Sequence, residues 1–389
     1  MKKNNILIIS FYMYPCKLVG AKRMSYIANY LADKGIEVTV LKVEDESYDN
    51  QIDKNLKLDA RIRVIEVKKL NKYKTFRQSI YRFFRYKKTL CSLLEKEDFD
   101  VLYFSGGPFF YFPLGIYSRF KYKIPYILDF RDLWIIGKKV KLNWKGNLLS
   151  NFEKYFERVS IKNASMVICV TPKTTELFKQ EFNNPMCMNF VTIMNGYNDL
   201  ELPEIISSST IKRDPINIGI FGKFSYYDLN HIDILIKSIR NSEIEIKIHH
   251  IGHYEEDFVN YVELNKLSKN FVFVGYKNYT EGIMYLSNMD YLILNNRSEY
   301  ALGTKIFDYL YLNKPVLAFM TPSSEIWNLL SNFKNTFLIQ NSFDLISAIQ
   351  ELMCSDDLNV IQKQDLFQYS RQHQTEILYE KIIMLINRK

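Results

Sequence analysis

Apolar positions along this chain fall into short, nearly continuous runs separated by stretches with helical spacing. In the first half such runs, rich in Ile and Val, predict strands at residues 6–12, 37–43, 63–67, 101–104, 126–129, 166–171 and 191–194. Strands that read as continuous apolar runs are those covered by helices on both faces of a sheet. Helical patterns predict helices at 21–33, 75–95, 148–163 and 173–182. A polar stretch at 201–214, with three consecutive serines and Pro215 at its exit, reads as a linker. A second series follows, with strands at 216–221, 245–251, 271–274, 291–294, 316–319 and 336–339. Its helices are expected at 231–240, 255–267, 282–287, 303–312, 324–330 and 342–354. Two successive strand–helix series imply an α/β protein of two doubly wound, Rossmann-like parallel-sheet domains. The expected boundaries are 1–200 for the first domain, 215–364 for the second, and 365–389 for a terminal helix packing back on the first. In such sheets ligands bind beyond the carboxyl ends of the strands, so the residues after each strand carry the chemistry.

A length of 389 residues suits two domains of ordinary size. With 47% apolar and 24% charged residues, the composition is that of a globular chain rather than a disordered or fibrous one. No run reaches the roughly 18 apolar residues that a membrane-spanning helix needs. Met1-Lys2-Lys3 before an apolar run superficially suggests a signal peptide. The run is short and meets Pro15 and Lys17, so it reads as a first buried strand. The five cysteines, Cys16, Cys91, Cys169, Cys187 and Cys354, are scattered. That argues against a disulfide scaffold and a cysteine zinc site, and for a reducing cytoplasm.

Charge changes the picture in one place. The chain carries +9, yet the window 61–90 alone holds eleven basic residues against Glu66, a net +10. Phe76, Ile80, Phe83, Leu90 and Leu94 share a helical face there and are expected in the core. Tyr81, Phe84 and Tyr86 are expected beside the arginines. The patch fits a solvated helix face, or a surface that meets anionic lipid headgroups through Lys69, Lys72, Arg82 and Arg85. A nucleic-acid surface is the weakest reading, because no recognised nucleic-acid motif accompanies the charge.

Other signals carry little. Asp98-Phe99-Asp100 has the form of a metal-binding D-x-D, but it precedes a strand, at the end of the sheet away from ligands. His249, His250 and His253 do not have the spacing of a helical zinc pair. Neither a G-x-G-x-x-G nor a phosphate-binding G-x-x-x-x-G-K-[ST] is present, which disfavours dinucleotide oxidoreductases and NTPases.

Several segments, in order along the chain, together point to a known group. Tyr14-Pro15 leads to Gly20-Ala21-Lys22-Arg23 and a helix ending Leu31-Ala32-Asp33-Lys34-Gly35-Ile36-Glu37-Val38. Ser105-Gly106-Gly107-Pro108 follows the fourth strand. Pro125-Tyr126-Ile127-Leu128-Asp129-Phe130-Arg131-Asp132-Leu133-Trp134 spans the next expected strand and its exit. Met194-Asn195-Gly196-Tyr197 enters the linker, and Gly303-Thr304-Lys305-Ile306-Phe307-Asp308-Tyr309-Leu310 precedes Asn313-Lys314-Pro315-Val316. With these segments the chain resembles the retaining, nucleotide-sugar-dependent glycosyltransferases of family 4. Their GT-B fold sets two such domains facing across a cleft.

The resemblance implies roles. Gly222 and Lys223 after the first strand of the second domain, with Gly303, Thr304 and Lys305 at a helix start, would grip the donor diphosphate in place of a metal. Cations and helix N-termini suit that task because charge grows on the phosphates as the sugar–oxygen bond breaks. The alternative for both lysines is a solvated surface position. Asp308 stands where the family has a Glu that holds the ribose hydroxyls. The family's other Glu aligns with Tyr300, so Glu299 would serve with a one-residue shift. Asp228-Leu229-Asn230-His231 replaces a further basic position. In the first domain Gly20, Arg23, Ser105, Gly106 and Gly107 would line the cleft. Asp129 or Asp132 would orient the acceptor hydroxyl, with Arg131 holding a carboxylate or contacting phosphate. The alternative there is a salt-bridged structural turn.

The implied activity is transfer of a sugar from a nucleotide diphosphate to a lipid-linked saccharide acceptor, with retention and without a metal cofactor. The implied setting is bacterial surface polysaccharide assembly at the cytoplasmic face of the membrane. A nucleotide-sugar 2-epimerase of the same fold is one alternative, disfavoured because no histidine precedes His231. A non-catalytic partner that binds nucleotide sugar or membrane is the other.

Overall fold

The computed structural model describes residues 3–48, 52, 57–68, 76–137, 144–182, 189–198, 202, 215–226, 228–354 and 363–388. The chain divides into two compact units, Met1–Asn195 with Gln374–Lys389, and Gly196–His373.

In the first unit the strands are β1 (Asn5–Ser10), β2 (Glu37–Val43), β3 (Arg63–Val67), β4 (Val101–Ser105), β5 (Tyr126–Phe130), β6 (Met166–Cys169) and β7 (Asn189–Thr192). The helices between them are α1 (Val19–Asp33), α2 (Phe76–Leu94), α3 (Pro113–Tyr122), α4 (Trp144–Asn163) and α5 (Pro172–Phe182). The sheet order is β3-β2-β1-β4-β5-β6-β7, and every neighbouring pair is parallel. The chain reverses its direction of travel between β1 and β4, so their carboxyl ends form the expected ligand crevice. Side chains of β1 divide between two cores, Leu7 and Ile9 on one face, Ile6 and Ile8 on the other. This alternation is why the strand reads as uninterrupted apolar sequence.

The second unit holds β8 (Ile216–Phe221), β9 (Ile246–Ile251), β10 (Phe271–Gly275), β11 (Tyr291–Asn295), β12 (Val316–Phe319) and β13 (Thr336–Leu338). Its helices are α6 (Asn230–Asn241), α7 (Glu256–Leu264), α8 (Tyr279–Leu286), α9 (Lys305–Leu312), α10 (Glu325–Leu330), α11 (Ser342–Cys354) and α12 (Lys363–Phe367). The order β10-β9-β8-β11-β12-β13 repeats the same design, with its reversal between β8 and β11. A last helix, α13 (Arg371–Ile386), starts in the second unit and ends in the first. There Leu378, Ile382 and Ile386 are buried with Met24, Ile27 and Leu31 of α1.

Two expectations need correction. The first strand stops at Ser10, not at residue 12, because the Ser10 hydroxyl turns to bond the Tyr12 carbonyl. Helix α3 was not expected from the pattern. It lies in a stretch so rich in aromatics that no polar face marks it, and only Pro113 at its first turn signals its start. No helix among the described residues is long and apolar enough to cross a membrane.

Candidate active site

In the second unit the site is built on the exit of β8. Gly222 follows the strand with φ +76°, and its amide donates to the Ile251 carbonyl at 2.7 Å. Its own carbonyl meets His250 Nε2 at 2.8 Å. The Lys305 ammonium lies against this turn, so that a Cβ at position 222 would stand 3.0 Å from Nζ. The positive φ favours glycine there, and a Cβ would press on the end of the Lys305 side chain. Burial pushes the Lys305 ammonium down to about 8, against the opposing pull of Glu255 and Asp308. A cation held in poor solvent with its carboxylates at a distance is prepared for an anion.

Glu255, which the sequence did not single out, organises the loop. Its Oε1 accepts from the Phe224 amide at 2.8 Å and lies 3.1 Å from His250 Nε2. Its Oε2 accepts from the Ser225 hydroxyl and, at 3.3 Å, from the Tyr226 amide. Partial burial raises its carboxyl, but the bonds from His250, Ser225 and Phe224 outweigh that and bring it to about 2. The loop after β8 is thus tied to the loop after β9.

Around these groups a pocket of about 470 Å³ opens at the carboxyl ends of β8, β9 and β10. Tyr226, Tyr254 and Tyr276 line it, each more than half exposed, and His253 stacks on Tyr276 with ring centroids 4.8 Å apart. Lys223 is exposed and holds its ammonium 4.3 Å from the Tyr226 ring centre. Aromatic faces beside two ammonium groups suit a planar base carrying phosphates. The tyrosines stand in three separate loops, and only the parallel order of the strands collects them. The histidines do not assemble a metal site. His249 bonds Tyr285 and Asn217, and no cluster of metal ligands occurs among the described residues.

The loop between β11 and α9 is ordered by its own polar groups. Asn296 and Ser298 bond the backbone of residues 298–301. Glu299 is exposed there, and its carbonyl accepts from the Glu325 amide. Gly303 is exposed, and a Cβ would meet no protein atom, so internal packing does not demand glycine. Thr304 caps α9 without a side-chain bond. Asp308 is buried, and Tyr279 donates to its Oδ1 at 2.5 Å. That occupies an oxygen expected to face the ribose. At the position lacking a basic residue, Asp228 pairs with Arg297 from the β11 loop at 3.2 Å.

The first unit corrects the sequence reading in two places. Asp129 is fully buried, bonded by Arg23 Nε at 3.2 Å, Arg23 Nη2 at 3.4 Å and the Tyr103 hydroxyl at 2.9 Å. Arg23 also donates to the Met194 carbonyl at 3.0 Å. Burial works against its charge, but Asp129 outweighs this and raises its pKa. Asp129 and Arg23 are therefore a structural pair, enclosed away from any acceptor. Ser105, expected to face a ligand, is likewise wholly buried, its carbonyl bonded by Tyr111.

Arg131 braces the segment through backbone carbonyls rather than through the salt bridge that the structural alternative supposed. Its Nε donates to the Gly106 carbonyl and Nη2 to the Gly107 carbonyl, each at 2.8 Å. Its guanidinium lies so close over Gly20 that a Cβ would fall 1.1 Å from Nη1. It remains half-buried rather than enclosed, and Asp132 beside it is exposed. These two are the charged groups of the segment left at the surface.

Among the basic patch, Lys69 and Lys72 lie outside the described residues. Arg82 is half-buried with its guanidinium 5.4 Å from the Phe11 ring centre, and Arg85 donates to the Lys68 carbonyl at 3.0 Å. Both are partly turned onto the protein, while Lys88 is exposed. The helix face is also rotated from expectation. Tyr86 is fully buried and Ile80 is 42% exposed, the reverse of expectation, whereas Phe84 at 58% stands off the core as expected.

Residues 20–199 match the sequence model of Glycosyltransferase Family 4. No curated protein matches the chain in sequence. Among solved structures, a sucrose-phosphate synthase from Thermosynechococcus elongatus superposes with TM-score 0.74 at 13% identity, covering 100% of both chains. WaaG, a glycosyltransferase involved in lipopolysaccharide biosynthesis, gives 0.62 at 14%, covering 96% of this chain and 99% of its own. A putative UDP-N-acetylglucosamine 2-epimerase from Listeria monocytogenes gives 0.62 at 11%, covering 100% and 98%. At such identities the likeness speaks for the fold, which is GT-B.

Proposed function

We propose that this chain, which carries a glycosyltransferase family 4 domain over residues 20–199, moves a sugar from a nucleotide diphosphate to a lipid-linked saccharide with retention of configuration. The observation that carries the reading is Lys305, a partly desolvated ammonium at the start of α9, laid against the β8 turn beside an aromatic pocket. The base stacks on the tyrosines, and the diphosphate meets Lys305, Lys223 and the first amides of α9. As the bond from the anomeric carbon to the phosphate oxygen breaks, negative charge grows on that oxygen, and fixed cations stabilise it without a metal. In the first unit Asp132 orients the acceptor hydroxyl and Arg131 holds the loop that receives it. The product joins a bacterial surface polysaccharide, and the basic α2 side of the unit meets the anionic face of the membrane.

A second reading, a nucleotide-sugar 2-epimerase, draws support from the Listeria structure. The family 4 match and the absence of histidine before His231 favour transfer. Radiolabelled UDP-, GDP- and dTDP-sugars incubated with bacterial lipid extract should give labelled lipid from one donor. Activity should persist in EDTA. Abolition by EDTA with rescue by manganese would defeat the metal-free assignment, and interconversion of free nucleotide sugars without transfer would favour the epimerase.

A further inference from the structure

We propose that a groove between α2 and α4 holds the hydrocarbon tail of an anionic lipid acceptor. The inference rests on the transferase reading and names where its acceptor is gripped. The groove, of about 300 Å³, is lined by Ile80 and Phe84 of α2, Phe152 and Phe156 of α4, and Phe110 and Trp134 from the loops after β4 and β5. That volume is at the lower end for ligand pockets, about 300–1,000 Å³. Ile80, Phe84 and Phe152 are 42%, 58% and 52% exposed, an apolar rim that water disfavours.

Charge and position select the occupant. Helix α2 holds Arg77, Arg82, Arg85, Lys87 and Lys88 and no acid, and Glu153 is the carboxylate among the lining residues. Exposed Lys88 stands one turn beyond Phe84, at i+4 on the same face. An apolar body with an anionic head fits this rim better than a neutral or polar partner. Trp134 ties the groove to the β5 loop. The Trp134 ring stacks on Phe109 at 5.4 Å and 9°, Phe109 packs against Gly106, and the Gly106 carbonyl accepts from Arg131. Trp134 also follows Asp132 by two residues. The phosphate of a tail lying in the groove meets the basic rim of α2, exposed Lys88 among it.

Trp134 supplies the probe. In a Trp144→Phe/Trp327→Phe variant, 12-bromododecyl phosphate should quench the remaining fluorescence saturably. Inorganic phosphate should not quench it, and neutral bromododecyl maltoside should bind at least tenfold more weakly. Adding Phe84→Asp and Phe152→Asp, both at exposed positions, should weaken the quenching at least tenfold with an unchanged unfolding midpoint. The same pair should lower transfer onto a lipid-linked acceptor at least tenfold more than onto a short soluble analogue. Absence of saturable quenching, or equal affinity in the Asp variant, would overturn the proposal. So would gel filtration showing that the pair dissolves a dimer which the lipid phosphate does not compete away. Quenching needs no turnover, so a chain that binds the probe but transfers no sugar would keep the groove and remove the transferase reading.

Discussion

Lys305→Ala should lower kcat/KM for the nucleotide-sugar donor at least tenfold, equivalent to about 1.4 kcal/mol or more of lost transition-state stabilisation. The ammonium sits where water solvates it poorly, and its pKa of about 8 records that cost. Interactions with growing charge are strongest in such surroundings, so the loss should fall on kcat as well as on KM. Removing a charge the fold holds at a cost should not unfold the protein, so an unchanged melting temperature would assign the loss to the site. Activity within twofold of the parent would remove Lys305 from the diphosphate grip.

Asp129→Ala should destabilise the first unit by about 3–5 kcal/mol, since it leaves a buried guanidinium without its counter-charge. Arg23 is 4% exposed and Asp129 fully buried, with Tyr103 bonded to the same carboxylate. Urea unfolding followed by circular dichroism measures the loss. The double variant Arg23→Met/Asp129→Leu should recover much of it, because an apolar pair replaces an ionic one without stranding a charge. A stable, fully active Asp129→Ala protein would contradict the structural role.

Those two residues also show what sequence alone conveys. The strands were legible because double coverage makes them continuously apolar, and the order of segments pointed to the GT-B fold. The neighbours of a charged group were not. Asp129 stands 106 positions from Arg23 and 26 from Tyr103, so nothing local separates a buried ion pair from a catalytic carboxylate. In α2 the core face runs Phe83, Tyr86, Leu90, Leu94, all at helical spacing. Tyr86 takes the place expected of Ile80 because Phe110 and Tyr111, distant in sequence, pack around its ring and bury it completely. Glu255 was silent for a similar reason, because apart from His250 its partners Phe224, Ser225 and Tyr226 lie about 30 residues away on another strand exit.

The donor site is tested most directly by calorimetry of nucleoside diphosphate binding near pH 8 in buffers of different ionisation enthalpy. Lys305 is about half neutral there and must be charged to meet the phosphates, so binding should take up about half a proton. Affinity should be full below pH 8 and decline as pH rises above it, until the raised pKa of the bound form is passed. The account predicts proton uptake in the parent protein and its loss, with weaker binding, in Lys305→Ala. Failure of UDP, GDP and dTDP alike to bind, or equal proton uptake in the variant, would contradict it.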